Sequence, residues 1–185
     1  MEDKVTKFGN IAHNLIEEVE QTNIKIMAEP DPLTHIAFWS GNFLEMMEIS
    51  IKKDMRDSVE DLLKHFAMFG MIGHEFVSES PIGFNALANQ MTDLYARKNR
   101  DYGNSFDKSM DKFGLVVAAI RIGDKVNRLQ SLIAKGGAEV KDESIADTFI
   151  DLACYSIMTL MWMEGTVGQK ASPTPPEEGL TGIAD

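Results

Sequence analysis

The chain has 185 residues, 44% of them apolar, which is enough for one packed domain with an extension and too few for several. Its formal net charge of -11 sets the surface against nucleic-acid backbones, which are bound through Lys and Arg, and so argues against a DNA- or RNA-binding module. A free nucleotide is not excluded, because a divalent cation reconciles acidic side chains with phosphates.

The N-terminus, MEDKVTKFGN, lacks the apolar run of a signal peptide, and no charge-free apolar stretch reaches the about 18 residues of a membrane span. The single cysteine, Cys154, cannot form an internal disulfide, and it sits with 12 methionines in a composition suited to a reducing compartment. The expectation is a cytoplasmic protein, in the host cytoplasm if phage-encoded, with no membrane and no nucleic acid among its partners.

Apolar residues recur at three and four along most of the chain, the helical period, and β-branched alternation is rare. The spacing predicts a first helix over 3–28, with Ile11, Leu15, Ile16 and Val19 on one side, broken by the Pro-Asp-Pro at 30–32. A second helix follows over 33–53 and carries Phe38, Trp39, Phe43, Leu44 and Met47. A third starts near Ser58, read as an N-cap with Asp61 three residues on, and carries Leu62, Leu63, Phe66 and Phe69. VSESPIG at 77–83 is the boundary. Beyond it come a helix through ALANQMTDLYARKNR, the turn-rich DYGNS at 101–105, a short helix over 106–113 and a long one from Leu115 to Ala134, stopped by Gly136 and Gly137. The last helix runs from Ser144 to Met163. From Gly165 the composition turns to Gly, Pro, Ser, Thr and Glu and reads as a disordered tail. The fold class is all-α: a helical bundle with an N-terminal helical extension over 1–78, a core over 79–165 and a tail over 166–185.

Charge is placed oddly in the last two helices. Arg121, Asp124, Lys125 and Arg128 fall at i, i+3, i+4 and i+7, one stripe, either a solvated face or a functional one. Glu143, Asp147 and Asp151 fall at i, i+4 and i+8, although like charges four apart repel. Helix-dipole preference and a capping box between Ser144 and Asp147 account for the first two acids, and an ion pair with Arg121 or Arg128 is one account of the third. Asp151 lies too deep for capping, among Phe149, Ile150, Leu152 and Ala153, and an isolated buried carboxylate takes up a proton unless cations face it. A hard divalent cation is the functional answer: Mg2+ takes oxygen ligands and keeps waters for exchange with phosphate. RKNRDYGNSF concentrates Arg97, Lys98 and Arg100 beside Tyr102 and a turn at Gly103. It reads equally as a phosphate or base contact and as an ordinary cationic helix C-terminus. The histidines make no metal-ligand spacing, and neither common glycine-loop phosphate signature is present.

Three segments in order, KNRDYGNSF, IRIGDKVNRLQSL and DESIADTFIDLACYSIM, resemble the nucleotide modification associated domain family, small helical proteins common in phages and bacteria. That family in turn looks like a branch of the all-α NTP pyrophosphohydrolases, the MazG-like group. The resemblance covers residues 85–163 and leaves the first 80 without a counterpart. It implies an oligomer, here a homo-oligomer, whose helices surround Mg2+ and a nucleoside triphosphate cleaved to monophosphate and pyrophosphate. Carried onto this chain it makes Glu143, Asp147 and Asp151 the catalytic acids and metal ligands, with Asp124 a further ligand. Arg121, Lys125 and Arg128 contact phosphate, and Lys98 and Tyr102 lie near phosphate or base. The attacking group is water activated at the metal. The chain departs from the MazG-like pattern in offering only Asp124 on the earlier helix and acids spaced by four rather than three. Glu45 and Glu48 have the Glu-x-x-Glu spacing but lie upstream, on what reads as an exposed helix face. Two other functions stay open: a non-catalytic nucleotide binder, and a helical interaction module whose buried acids are ion pairs.

Overall fold

The computed structural model describes residues 3–136 and 144–166. The expectations for Glu143 and for the tail beyond residue 166 therefore lie outside the described residues. Within them the chain forms helices and no strands, in the order α1 Lys4–Asn14, α2 Ile16–Met27, α3 Pro32–Lys52, α4 Arg56–Val77, α5 Phe84–Tyr102, α6 Ser105–Phe113, α7 Val116–Lys135 and α8 Ile145–Gly165. The all-α expectation holds. The predicted first helix is divided at Leu15, whose side chain is buried as the segment turns into α2. Ser58 is not an N-cap. Asp54 takes a left-handed φ of 54°, the turn completes earlier, and α4 starts after Met55 without a side-chain cap.

Other boundaries follow the chemistry of their sequences. The Asp31 carboxylate accepts a hydrogen bond from the Thr34 amide at 3.1 Å, with Pro32 fitting the first turn of α3, where no amide is needed. Gly136 ends α7 in the left-handed conformation. Ser144 and Asp147 form the capping box that opens α8: the Asp147 amide donates to Ser144 Oγ at 3.0 Å, and the Ser144 amide donates back to Asp147 Oδ2 at 3.1 Å.

The central ring is α3, α4, α8 and α7, each packed on the next, and α4 against α8 is the most extensive contact in the molecule. Gly70 and Gly73 on α4 make that approach possible. A methyl on Gly70 would stand 2.6 Å from the Phe149 carbonyl oxygen and 2.7 Å from the Ala153 nitrogen, and one on Gly73 would enter the Phe149 ring. By length and composition α8 is apolar enough to cross a bilayer, yet here its apolar residues are core: Phe149, Leu152, Ala153 and Ile157 are fully buried. Its buried Ser156 and Thr159 hydroxyls donate to carbonyls one turn back, at 2.8 and 2.7 Å, so they cost no unmet hydrogen bond.

The N-terminal helices close the other end of α8. Lys7 Nζ donates to the Met161 carbonyl at 3.1 Å, and the Arg56 guanidinium donates to the Met163 carbonyl and, at 2.9 Å, to Thr166 Oγ1. Cations there add to the hydrogen bonding of carbonyls near the helix end and suit the helix dipole. The core is continuous across residue 78: Phe8 stacks face to face on Tyr95 at 4.6 Å, and the buried side chains of α1 to α5, α7 and α8 form one cluster. A smaller cluster of Phe106, Met110 and Ala118 seats α6. On α3, Phe38, Trp39, Met46 and Ile49 are exposed, as are Glu45 and Glu48.

Candidate functional site

Helical spacing alone builds one face of a cleft. On α5 the stripe Leu94, Tyr95, Lys98, Asn99 and Tyr102 faces the stripe Asp151, Cys154, Tyr155 and Met158 on α8. Ser105 and Phe106, from the first turn of α6, form the third side. The sharp chain reversal that brings α6 there passes through two left-handed residues, Gly103 with φ 57° and Asn104 with φ 59°. The φ at Asn104 is one that few residues other than glycine accept, and Asn is among them. Phe106 meets Tyr155 with ring centroids 5.7 Å apart, and the Trp162 indole N–H donates to Asp111 Oδ1 at 2.8 Å, tying α6 to α8.

The cleft measures about 210 Å3. That is below the roughly 300 Å3 at which pockets enclosing whole drug-sized ligands begin. A space of that size has room for a single ring system and not for a whole larger ligand. Exposure grades along α5 from Tyr102 at 68% outside to Tyr95 at 4% within.

Charge gathers at the mouth. Asp151, about a quarter exposed, receives Lys98 from α5 on Oδ1 at 3.2 Å and Lys125 from α7 on Oδ2 at 3.0 Å. Desolvation pulls the Lys98 ammonium down, but the attraction of Asp151 and its hydrogen bond outweigh that and hold its pKa above the ordinary lysine value. Lys125 also approaches the Tyr155 ring, 6.0 Å from its centroid, close to the limit for a cation–π contact. The Cys154 thiol is pushed up to about 12 by burial first and by the Asp151 carboxylate second, with Lys98 acting against them. It is therefore a neutral thiol near pH 7 and not a nucleophile.

The residues singled out in the sequence divide. Asp151, Lys98, Lys125 and Tyr102 come together at the cleft. Asp147, which shares a helix face with Asp151, is turned to the end of α8, where Oδ2 also accepts from the Ser144 hydroxyl at 2.8 Å. Arg121 and Asp124 are exposed on α7, Arg128 is half-buried one turn beyond Lys125, and none of the three lines the cleft. Glu143 lies outside the described residues. Among the described residues no three His, Cys, Asp or Glu side chains converge as a metal site, so the cleft has one carboxylate to offer a cation, Asp151. Tyr95, Asn99, Phe106 and Tyr155 escaped the sequence reading. Their signal was positional: Tyr95 and Asn99 stand three before and one after Lys98, and Tyr155 stands four after Asp151.

Fold and cleft together define an all-α bundle with an aromatic cleft and two lysines clasping one aspartate at its mouth. Residues 98–163, just over a third of the chain, match the family model described as nucleotide modification associated domain 1. The matched segment contains Lys98, Tyr102, Lys125 and Asp151. No curated protein and no solved structure gives a match.

Proposed function

We propose that the protein binds a nucleoside triphosphate, as its Mg2+ complex, at the α5–α6–α8 cleft and hydrolyses it to the monophosphate and pyrophosphate, the reaction that the MazG-like resemblance implies. The observation that carries this reading is Asp151 held between Lys98 and Lys125 at the mouth of an aromatic cleft. Lysines are compact point charges suited to phosphate, and aromatic walls suit a base. An incoming phosphate would compete with Asp151 for both ammonium groups, and the freed Asp151 carboxylate would be the residue available to hold a cation brought in with the nucleotide. The donor set fits a cation brought in this way, since Mg2+ is commonly bound by one or two carboxylates plus substrate phosphates. Bound with the substrate, it supplies charge neutralisation on the phosphates. Lys98 and Lys125 then stabilise charge on the phosphate oxygens, and Asp151 is the described carboxylate in the cleft positioned to take the proton of the attacking water. The new bond joins water oxygen to the α-phosphorus, and the α–β bridge breaks as pyrophosphate leaves.

A second reading, nucleotide binding without turnover, is favoured by one observation: the cleft holds a single carboxylate among the described residues, and both its oxygens already accept lysine contacts. One experiment separates the two. The protein is incubated with each dNTP and MgCl2, pyrophosphate release is followed, and Tm is measured with the same ligands. Turnover that is lost in Asp151→Asn supports the hydrolase. A raised Tm without pyrophosphate supports the binder, because a ligand preferring the native state must stabilise it. No shift in Tm and no pyrophosphate reject both.

A further inference from the structure

The outer face of α3 is apolar and uncovered. Phe38, Met46 and Ile49 are each more than half exposed, and Trp39 is 40% exposed. At 3.6 residues per turn, His35, Phe38, Trp39, Asn42, Met46 and Ile49 fall within about 100° of the helix circumference. The buried Ile36, Ser40 and Met47 lie on the other side, against the core. Large apolar side chains gathered in one exposed stripe mark an interaction surface. The two ends of the stripe carry opposite charge. Glu29 and Asp31 stand at its start, and Lys52 and Lys53 at its finish, all exposed. Asp54 follows the lysines, which leaves the finish net positive and the start net negative.

We propose that this face docks on the same face of a second copy of the chain, with the two α3 helices antiparallel about a two-fold axis at Asn42. That direction lays the acidic start of one helix on the basic finish of the other, whereas a parallel pair sets like charge on like at both ends. A two-fold contact must be self-complementary, and the stripe mirrors about residue 42. Phe38 falls opposite Met46 of the second copy, His35 opposite Ile49, and Asp31 opposite Lys53. Asn42 donates to the Phe38 carbonyl at 3.1 Å. Its amide keeps a second hydrogen and its own oxygen for its counterpart at the axis. A lone Asn in an apolar helix pair is a device that fixes register. No residue of this face lines the cleft, so the docking stands apart from the nucleotide reading.

Sedimentation equilibrium of the full chain over a range of micromolar concentrations tests the proposal. The expected mass is twice the 20.6 kDa of the chain. Phe38→Lys combined with Ile49→Lys should halve it while leaving the helical circular dichroism unchanged. Val116→Lys combined with Ile120→Lys, at exposed apolar positions on α7, should leave it doubled. Asn42→Cys should cross-link to itself under copper–phenanthroline, since a disulfide needs Cα atoms within about 7 Å. Lys53→Cys should not, because antiparallel copies of that residue lie more than about 30 Å apart along the helices. A wild type that is monomeric throughout overturns the proposal. So does a dimer that survives the α3 pair or is lost with the α7 pair. Cross-linking of Lys53→Cys, or none of Asn42→Cys, also overturns it. If the lysine pair on α3 unfolds the chain, the cross-links decide.

Discussion

Three side chains that line the cleft, Tyr95, Cys154 and Lys98, share one direction of shift, and that shapes how the protein responds to base. Tyr95 rises from an ordinary 10.0 to about 12, Cys154 from 9.0 to about 12, and Lys98 lies above its ordinary 10.5. A raised folded-state pKa means that the folded protein keeps a proton the unfolded chain has already released. The stabilisation is fully present below the unfolded value and is lost as pH rises through the folded one. Tm should therefore hold up to about pH 9 and fall steeply between about 9 and 12. Tyr95→Phe and Cys154→Ala should each flatten that fall. For Tyr95 the rise of about two units corresponds to at most roughly 2–3 kcal/mol. Circular-dichroism melts over the pH series check this, and identical alkaline slopes in all three proteins would refute it. At this scale the sequence was informative about charge and poor about polarity. Asp151 stood out because an acid among Phe149, Ile150 and Leu152 demands a partner. Tyr95 did not, because an aromatic on the apolar face of a helix looks like any core residue until its hydroxyl is found unpaired.

Element boundaries were legible where backbone chemistry leaves no choice. Asp31-Pro32, Gly103, Gly136 and the Ser144–Asp147 box all act where their residue types require. The break at Leu15 was not, because it contains neither Gly nor Pro and is imposed by burial. Asp147 and Asp151 illustrate the limit of periodicity. Spacing of four places two acids on one face, but a local partner, here Ser144, decides which way each carboxylate turns. Likewise the stripe on α7 is one face in sequence, yet only Lys125 reaches the cleft aspartate. Nothing in the sequence marked the glycines of α4 as the closest point of packing. At Gly70 the added methyl faces backbone atoms of α8, at 2.6 and 2.7 Å, and backbone cannot swing aside as a long side chain can. Gly70→Ala should cost at least about 1–3 kcal/mol of stability, read from urea unfolding. Gly165→Ala, at the end of α8 with open space around it, should be neutral or slightly stabilising. Equal midpoints for the two variants would mean that α4 and α8 do not pack as closely as described.

Across the whole molecule the division between a matched C-terminal part and an unmatched N-terminal part is one of sequence resemblance, and packing does not respect it. The central ring takes α3 and α4 from before residue 78 and α7 and α8 from after it. Phe149 is seated against Gly70 and Gly73, Tyr95 against Phe8, and the last carbonyls of α8 are met by Lys7 and Arg56. A fragment beginning at residue 79 would thus expose one side of α8 along its length, strip its C-terminal cations and leave the Tyr95 ring without its stacking partner. Apolar helix faces of that extent do not stay dispersed in water. The fragment 79–166 should accordingly fail to give a cooperative thermal transition and should aggregate or bind a hydrophobic dye, while residues 1–166 should melt in one step. If the fragment instead melts cooperatively and still binds nucleotide, the N-terminal helices are an addition to a self-sufficient site. If it does not, the family segment depends on helices that its sequence match never included.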